Sequence, residues 1–267
     1  MIRLEGCHAL ITGASAGIGR EFACQLADRA ALLLLVARRE ERLHRLRDEL
    51  QAHHPKLQIE IHRTDLARRD EVESLLGWIE GQNFHIDLLI NNAGLGDLGA
   101  FASSDPEKVE QILQVNMVAL TRLTRALLPQ MIACGRGAIL NVSSSASFLP
   151  IPNFAVYAAT KAYVTSFSEA LRGELHGSGI HVSALCPGPV KTEFTSVARR
   201  QKSTSMPNEP EIAYVAVEQV VADALQGIEY NKAIVIPGML MKLGMFLVRL
   251  TPLPLLRVAN RIFAKGA

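Results

Sequence analysis

Tyr157 and Lys161 stand four residues apart in the run Tyr157-Ala158-Ala159-Thr160-Lys161. On a helix this spacing sets both side chains on one face, about one turn apart. A free phenol titrates near pH ~10 and is a poor proton shuttle at neutral pH. A fixed ammonium beside it favours the phenolate and brings the group toward the working range. The pair therefore reads as a general acid/base. The same spacing also describes two unrelated surface groups, and the elements around it must decide.

Those elements alternate. Short apolar runs at 7–12, 32–36, 57–61, 87–90, 138–142, 180–185 and 233–236 have the composition of strands. Helical patterns fall between and after them at 17–28, 39–52, 68–80, 106–132, 155–176 and 211–226. Repeated strand–helix order argues for an α/β chain with a parallel sheet covered on both faces. Nearly all-apolar strands fit that burial. The first strand runs into Thr12-Gly13-Ala14-Ser15-Ala16-Gly17-Ile18-Gly19 and then a helix. Glycines there suit a tight turn and let a pyrophosphate approach the backbone at a helix N-terminus; a purely structural turn is the alternative.

The 267 residues are 49% hydrophobic and 20% charged, enough for a sizeable core. A net charge of +2, with no long block of like charge, argues against a nucleic-acid-binding protein. Cys7, Cys24, Cys134 and Cys186 are widely spaced, which disfavours zinc ligation and a disulfide framework. They read as buried thiols of a reducing compartment. The eight histidines show no metal-ligand spacing, so no metal site is expected. The N-terminus lacks a signal-peptide layout and no apolar run is long enough to span a bilayer, so a cytoplasmic protein is expected. The polar segment 199–210 reads as a mobile loop over a binding site, with a passive surface loop as the alternative.

Thr-Gly-x-x-x-Gly-x-Gly resembles the fingerprint of the short-chain dehydrogenase/reductase family in its compact single-domain form. Further family signatures stand in order: Asn91-Asn92-Ala93-Gly94, Asn116, Ser143-Ser144, Tyr157 with Lys161, then Pro187-Gly188. The resemblance covers residues 5–236. It implies a Rossmann-like, doubly wound parallel sheet of about seven strands in the order 3-2-1-4-5-6-7. One domain would span 1–238, with a substrate loop near 193–210 and a short helical tail, 239–267, packed on the same domain.

The resemblance also implies roles. Asn116, Ser144, Tyr157 and Lys161 would form the catalytic set. Ser144 lies thirteen residues before Tyr157, the family interval, and would bond the substrate oxygen as charge develops on it. Tyr157 would move the proton, while Lys161 would lower the tyrosine pKa and hold the nicotinamide ribose. Asn116 would support a water chain to Lys161, or else satisfy a local helix irregularity. Gly13, Ser15, Gly17, Ile18 and Gly19 would cradle the dinucleotide. Asp65 and Leu66 would hold the adenine, and Asn92, Ala93 and Gly94 would line the cofactor. Pro187 and Gly188 would lie by the nicotinamide, with Val190 and Thr192 on its carboxamide. Pro187 and Pro189 could equally be strand terminators.

The second strand ends Val36-Ala37-Arg38-Arg39, without the acid that binds ribose hydroxyls in enzymes preferring NAD(H). A guanidinium can pair bidentately with a 2′-phosphate. Arg38 and Arg39 thus point to NADP(H) over NAD(H), against the alternative that both merely solvate a helix start. The expected activity is NADP(H)-dependent interconversion of a carbonyl and an alcohol, acting on CH–OH donors. A non-catalytic NADP(H)-binding protein and a nucleotide-sugar epimerase or dehydratase are the rival readings.

Phe148, Leu149, Ile151 and Phe154 suggest a hydrophobic small-molecule substrate, or else an interface or core. The wide apolar arc of helix 106–132 implies, with the family's habit, a homodimer or homotetramer. In the tail, Gly244 and Thr251-Pro252-Leu253-Pro254 read as breaks between two short helices. The tail either packs over the substrate entrance or a partner subunit, attaches peripherally to a membrane surface, or adds core.

Overall fold

The computed structural model describes residues 2–200, 214–252 and 254–257. Seven parallel strands carry the chain: β1 (His8–Thr12), β2 (Leu32–Ala37), β3 (Gln58–Arg63), β4 (Leu88–Asn91), β5 (Gly137–Val142), β6 (Ile180–Leu185) and β7 (Ile234–Val235). Their order is β3-β2-β1-β4-β5-β6-β7, as the sequence implied. β1 pairs with β2 on one side and β4 on the other, so the strand order reverses direction at its C-terminal end. Ligands of open α/β sheets bind at such a switch point.

Every residue of β2 and β5 is buried because both faces of the sheet are covered. Odd-numbered residues of β1 and β2, such as Ile11, Leu33 and Leu35, pack against α1 (Gly17–Leu26), α2 (Glu40–His53) and α8 (Val217–Glu229). Even-numbered ones, such as Leu10, Leu34 and Val36, meet α3 (Arg69–Gly81), α5 (Leu120–Cys134) and α6 (Ala155–Glu174). The alternation follows from the two-residue period of a strand.

Two expectations need correction. The pattern at 106–132 is not one regular helix: α4 (Pro106–Leu113) and α5 are joined by a π-helical turn, Gln114–Ala119. Gly244 does not break the tail either, since α9 (Met239–Leu250) runs through it and ends before Thr251. α7 (Glu193–Ala198) follows β6. Most of the polar loop at 199–210, the start of the helix expected from 211, and residues 258–267 lie outside the described residues.

Candidate active site

The C-terminal ends of the central strands open into one cleft of about 470 Å³. All of the site residues singled out in the sequence line it except Gly19 and Asn116. Gly13 (φ +68°) and Gly17 (φ +54°) adopt left-handed backbone that other residues reach only with strain. Gly19 is required for another reason: a Cβ there would meet the Gly13 oxygen at 2.3 Å. The turn is held from the side by Asn92, whose Nδ2 donates to the Thr12 oxygen at 2.9 Å. Thr12 Oγ1 in turn accepts from the backbone N–H groups of Asn92 and Ala93, each at 3.0 Å.

Ala16 at the N-cap of α1 supplies no capping side chain, and no acid occupies the first turn. The helix therefore presents uncapped N–H groups beside Gly13, Ser15 and Ile18 in the cleft wall. That is the arrangement that receives a pyrophosphate. Asp65 bends the chain after β3 by accepting the Ala67 N–H at 3.0 Å, and Leu66 is buried beside it.

At the far end of the cleft three arginines gather. Arg39 reaches Ser15 Oγ with two donors at 3.3 Å and Glu193 at 2.9 Å. Arg42 pairs with the same Glu193 at 2.8 Å. These side-chain bonds, from Arg39 first and then Arg42, hold the Glu193 carboxyl below its usual range. Arg38 is exposed and, among the described residues, makes no side-chain ion pair or hydrogen bond. Glu193 and Arg42 were not apparent as site residues in the sequence, because nothing local links positions 39 and 42 to position 193.

The opposite end is buried. Tyr157 and Lys161 are 8% and 3% exposed, both on α6. The Tyr157 ring stacks on Phe154 at 4.2 Å and tilts against Phe194 at 5.3 Å. Lys161 Nζ lies 5.6 Å from the Tyr157 ring centroid and donates to the Val142 oxygen at 2.7 Å. Gly94 leaves room for that ammonium: a Cβ on it would sit 3.3 Å from Nζ. Ser144 caps the short turn Ser145–Phe148, accepting from the Ala146 N–H at 3.1 Å, and lines the cleft with Tyr157.

Burial pushes the Tyr157 phenol up to about 12, with Ser144 acting the other way. The lowered tyrosine pKa expected from the adjacent lysine is therefore not found in the free site. Loss of water outweighs an ammonium lying over the ring and engaged with a carbonyl. The same burial brings Lys161 down to about 8. At pH ~7 the resting site thus holds a neutral phenol beside an ammonium.

Asn116 lies in the π-helical turn, where its Oδ1 accepts from the Leu95 N–H at 2.8 Å. Its Nδ2 donates to the Leu95 oxygen and Thr160 Oγ1, both at 2.9 Å. The amide thereby pins the loop after β4 to α6. Of the apolar group following Ser144, Ile151 and Phe154 face the cleft, whereas Phe148 lies under the Arg249 guanidinium of α9. Phe154, Phe194, Leu98 and Ala198 make one apolar cluster around Tyr157. Its cover is stitched down by the Leu98 N–H donating to the Ala198 oxygen at 2.8 Å and by an Arg200–Asp97 ion pair.

Fold and cleft together define a Rossmann-type dinucleotide-binding protein. The chain belongs to the short chain dehydrogenase family, whose profile matches residues 7–203, and the fold binds a nicotinamide cofactor. A short chain dehydrogenase of Pseudocercospora fijiensis is 36% identical over 196 residues, 72% of this chain and 62% of that protein. The NADP-dependent 3-hydroxy acid dehydrogenase YdfG of Salmonella typhi is 37% identical over 190 residues, 70% of this chain and 75% of its own length. A short-chain dehydrogenase from Sphingobium yanoikuyae in complex with NADPH superposes with a TM-score of 0.78 at 33% identity, covering 87% of this chain and 88% of that one. The bulky-bulky ketone specific alcohol dehydrogenase from Comamonas testosteroni gives 0.76 at 31%, over 87% and 86%. A Burkholderia phymatum member in complex with NAD gives 0.79 at 25%, over 92% and 94%.

Proposed function

We propose that the protein is an NADP(H)-dependent oxidoreductase that interconverts an apolar ketone or aldehyde and its alcohol. The observation that carries this reading is the convergence of Ser144, Tyr157 and Lys161 at the apolar end of a cleft whose other end displays Arg38, unpaired among the described residues. The residues fit the cofactor by their own chemistry. Gly13, Ser15, Gly17, Ile18 and Gly19 form the pyrophosphate cradle. Arg38 and Arg39 offer donors to a 2′-phosphate. Asp65 and Leu66 would hold the adenine, Asn92, Ala93 and Gly94 would line the cofactor, and Pro187, Gly188, Val190 and Thr192 would take the nicotinamide.

A dihydronicotinamide bound in this cleft would supply the hydride that the carbonyl carbon takes up. Tyr157 gives its phenolic proton to the carbonyl oxygen, which Ser144 Oγ holds as negative charge develops. The phenolate left behind faces the Lys161 ammonium, which replaces the proton. Asn116 acts on Lys161 only by fixing the loop and helix around it. The resting site already holds, at neutral pH, the neutral phenol that carbonyl reduction requires as its acid. Phe154, Ile151 and Phe194 select an apolar substrate.

The exposed Val118 in the π-helical turn and Tyr163 on α6 support a homodimer formed through α5 and α6. Cys7 and Cys186 are buried as expected, whereas Cys24 is half-buried and Cys134 exposed; the thiols, free at all four positions, support a cytoplasmic location. The reading is tested by following NADPH and NADH consumption over a panel of carbonyl compounds from small polar aldehydes to bulky aryl ketones. Turnover of apolar carbonyls with NADPH is expected. Tight NADPH binding without turnover anywhere in the panel would instead favour a cofactor-binding protein.

A further inference from the structure

α9 has two unlike faces. Met241, Gly244, Met245 and Val248 are partly buried against the body of the protein. Met241 fills the space over Gly188, where a Cβ would meet its Cε at 2.4 Å, and the Arg249 guanidinium lies 5.7 Å above the Phe148 ring. The helix is thus seated at the catalytic end of the cleft, against the Pro187-Gly188 segment and the turn that Ser144 caps. The opposite face carries Met239, Leu240, Leu243, Phe246, Leu247 and Leu250, each between 56% and 82% exposed. At 3.6 residues per turn these six share an arc of about 120°. Scattered apolar residues are normal on a surface, whereas a contiguous stripe of this size marks a contact.

Charge identifies the partner. Exposed Lys242 and Arg249 lie together along one edge of the arc. Residues 239–267 hold five of the chain's 28 basic groups and none of its 26 acidic groups, so this segment carries +5 and the rest of the chain −3. A second copy docked on this face about a two-fold axis would set the same patch against itself. Basic rims would then meet basic rims, with no carboxylate in the segment to separate them. Anionic lipid headgroups complement the rim, and the acyl boundary accepts the apolar arc. No helix among the described residues is long and apolar enough to cross a membrane. We infer that α9 docks the protein onto an anionic bilayer surface, lying in the interface plane with Leu243, Phe246, Leu247 and Leu250 inserted. This inference does not depend on the oxidoreductase reading.

Co-sedimentation with phosphatidylcholine vesicles, with and without about one-third phosphatidylglycerol, tests it on the full chain. Wild type should bind the anionic vesicles, and each cation contributing about 1 kcal/mol near such a surface corresponds to roughly fivefold in affinity. Lys242→Glu with Arg257→Glu, which spares the Arg249–Phe148 contact, should therefore lower binding at least tenfold, as should omission of the anionic lipid. Leu243→Glu with Leu247→Glu should abolish it while leaving the thermal unfolding midpoint and NADPH affinity unchanged. Absence of wild-type binding to anionic vesicles overturns the proposal. So does a Leu243→Glu/Leu247→Glu variant that binds vesicles like wild type but has a halved mass in solution, because a second copy would then cover the face.

Discussion

The two ends of the cleft handle charge in opposite ways. At the catalytic end, Tyr157 and Lys161 are sealed under Phe154, Phe194 and Leu98, and both have pKa values moved toward the neutral form. At the other end, Arg38, Arg39 and Arg42 stand in water, and the Glu193 carboxylate is shared by two of their guanidinium groups. Low dielectric makes each protonation state at the buried end expensive to change, so that end can fix which protonation states take part in the chemistry. Interactions at the exposed end are individually weak and screened by salt, so it can sort ligands but not drive chemistry. Substitutions at the first end should appear in rates, and those at the second in affinities that depend on ionic strength.

The largest effect that would sharpen this contrast is the pH dependence of the two reaction directions. Alcohol oxidation needs the Tyr157 phenolate, and with the phenol held up to about 12 that form is scarce at neutral pH. The oxidation kcat/KM should rise about tenfold per pH unit between pH ~7 and ~10, roughly 10³-fold in all. Reduction needs the neutral phenol, which persists across this range, and should stay nearly flat. Parallel profiles for the two directions would break the link between burial and protonation state.

Next in size is Arg38→Asp. Hydrogen bonds to charged groups contribute about 1.5–3 kcal/mol, so the ratio of NADPH to NADH affinity should fall roughly 10- to 100-fold. The wild-type ratio should also shrink with added salt, whereas the turnover rate with saturating cofactor should not. An unchanged ratio would remove Arg38 from cofactor selection.

The smallest effect belongs to Glu193→Gln. Releasing Arg39 and Arg42 from the carboxylate frees both for a phosphate and should tighten NADPH binding by less than about fivefold, the range of an exposed pair. Titration of NADPH and NADH should show the change only for NADPH. Equal changes for both would mean that Glu193 acts on the cleft as a whole.

Much of this was legible in the sequence, for physical reasons that differ by element. The central strands were readable because burial on both faces leaves them almost wholly apolar. The glycine turn was readable because positive φ and the close approach of Gly19 to Gly13 restrict residue type. The π-helical turn at Gln114–Ala119 was not readable, since one extra residue in a helix leaves an apolar pattern of ordinary appearance. Nor was the Glu193 strap, which joins residues about 150 positions apart through side chains that also suit any solvated surface. The pKa direction of Tyr157 was misread because spacing reveals a neighbouring charge but not the aromatic rings that exclude water. Gly244 passed for a helix break on residue type alone, although nothing crowds it within α9.

The central claim is that proton transfer resides in Tyr157 and cofactor recognition elsewhere in the same cleft. Its most direct test is a single preparation of Tyr157→Phe, assayed for carbonyl reduction by NADPH and titrated with NADPH. Removing the acid should lower kcat/KM by about 10²–10⁴-fold, with the NADPH dissociation constant within about threefold of wild type, since the arginine end and the glycine turn are untouched. Near-normal turnover in this variant would contradict the account.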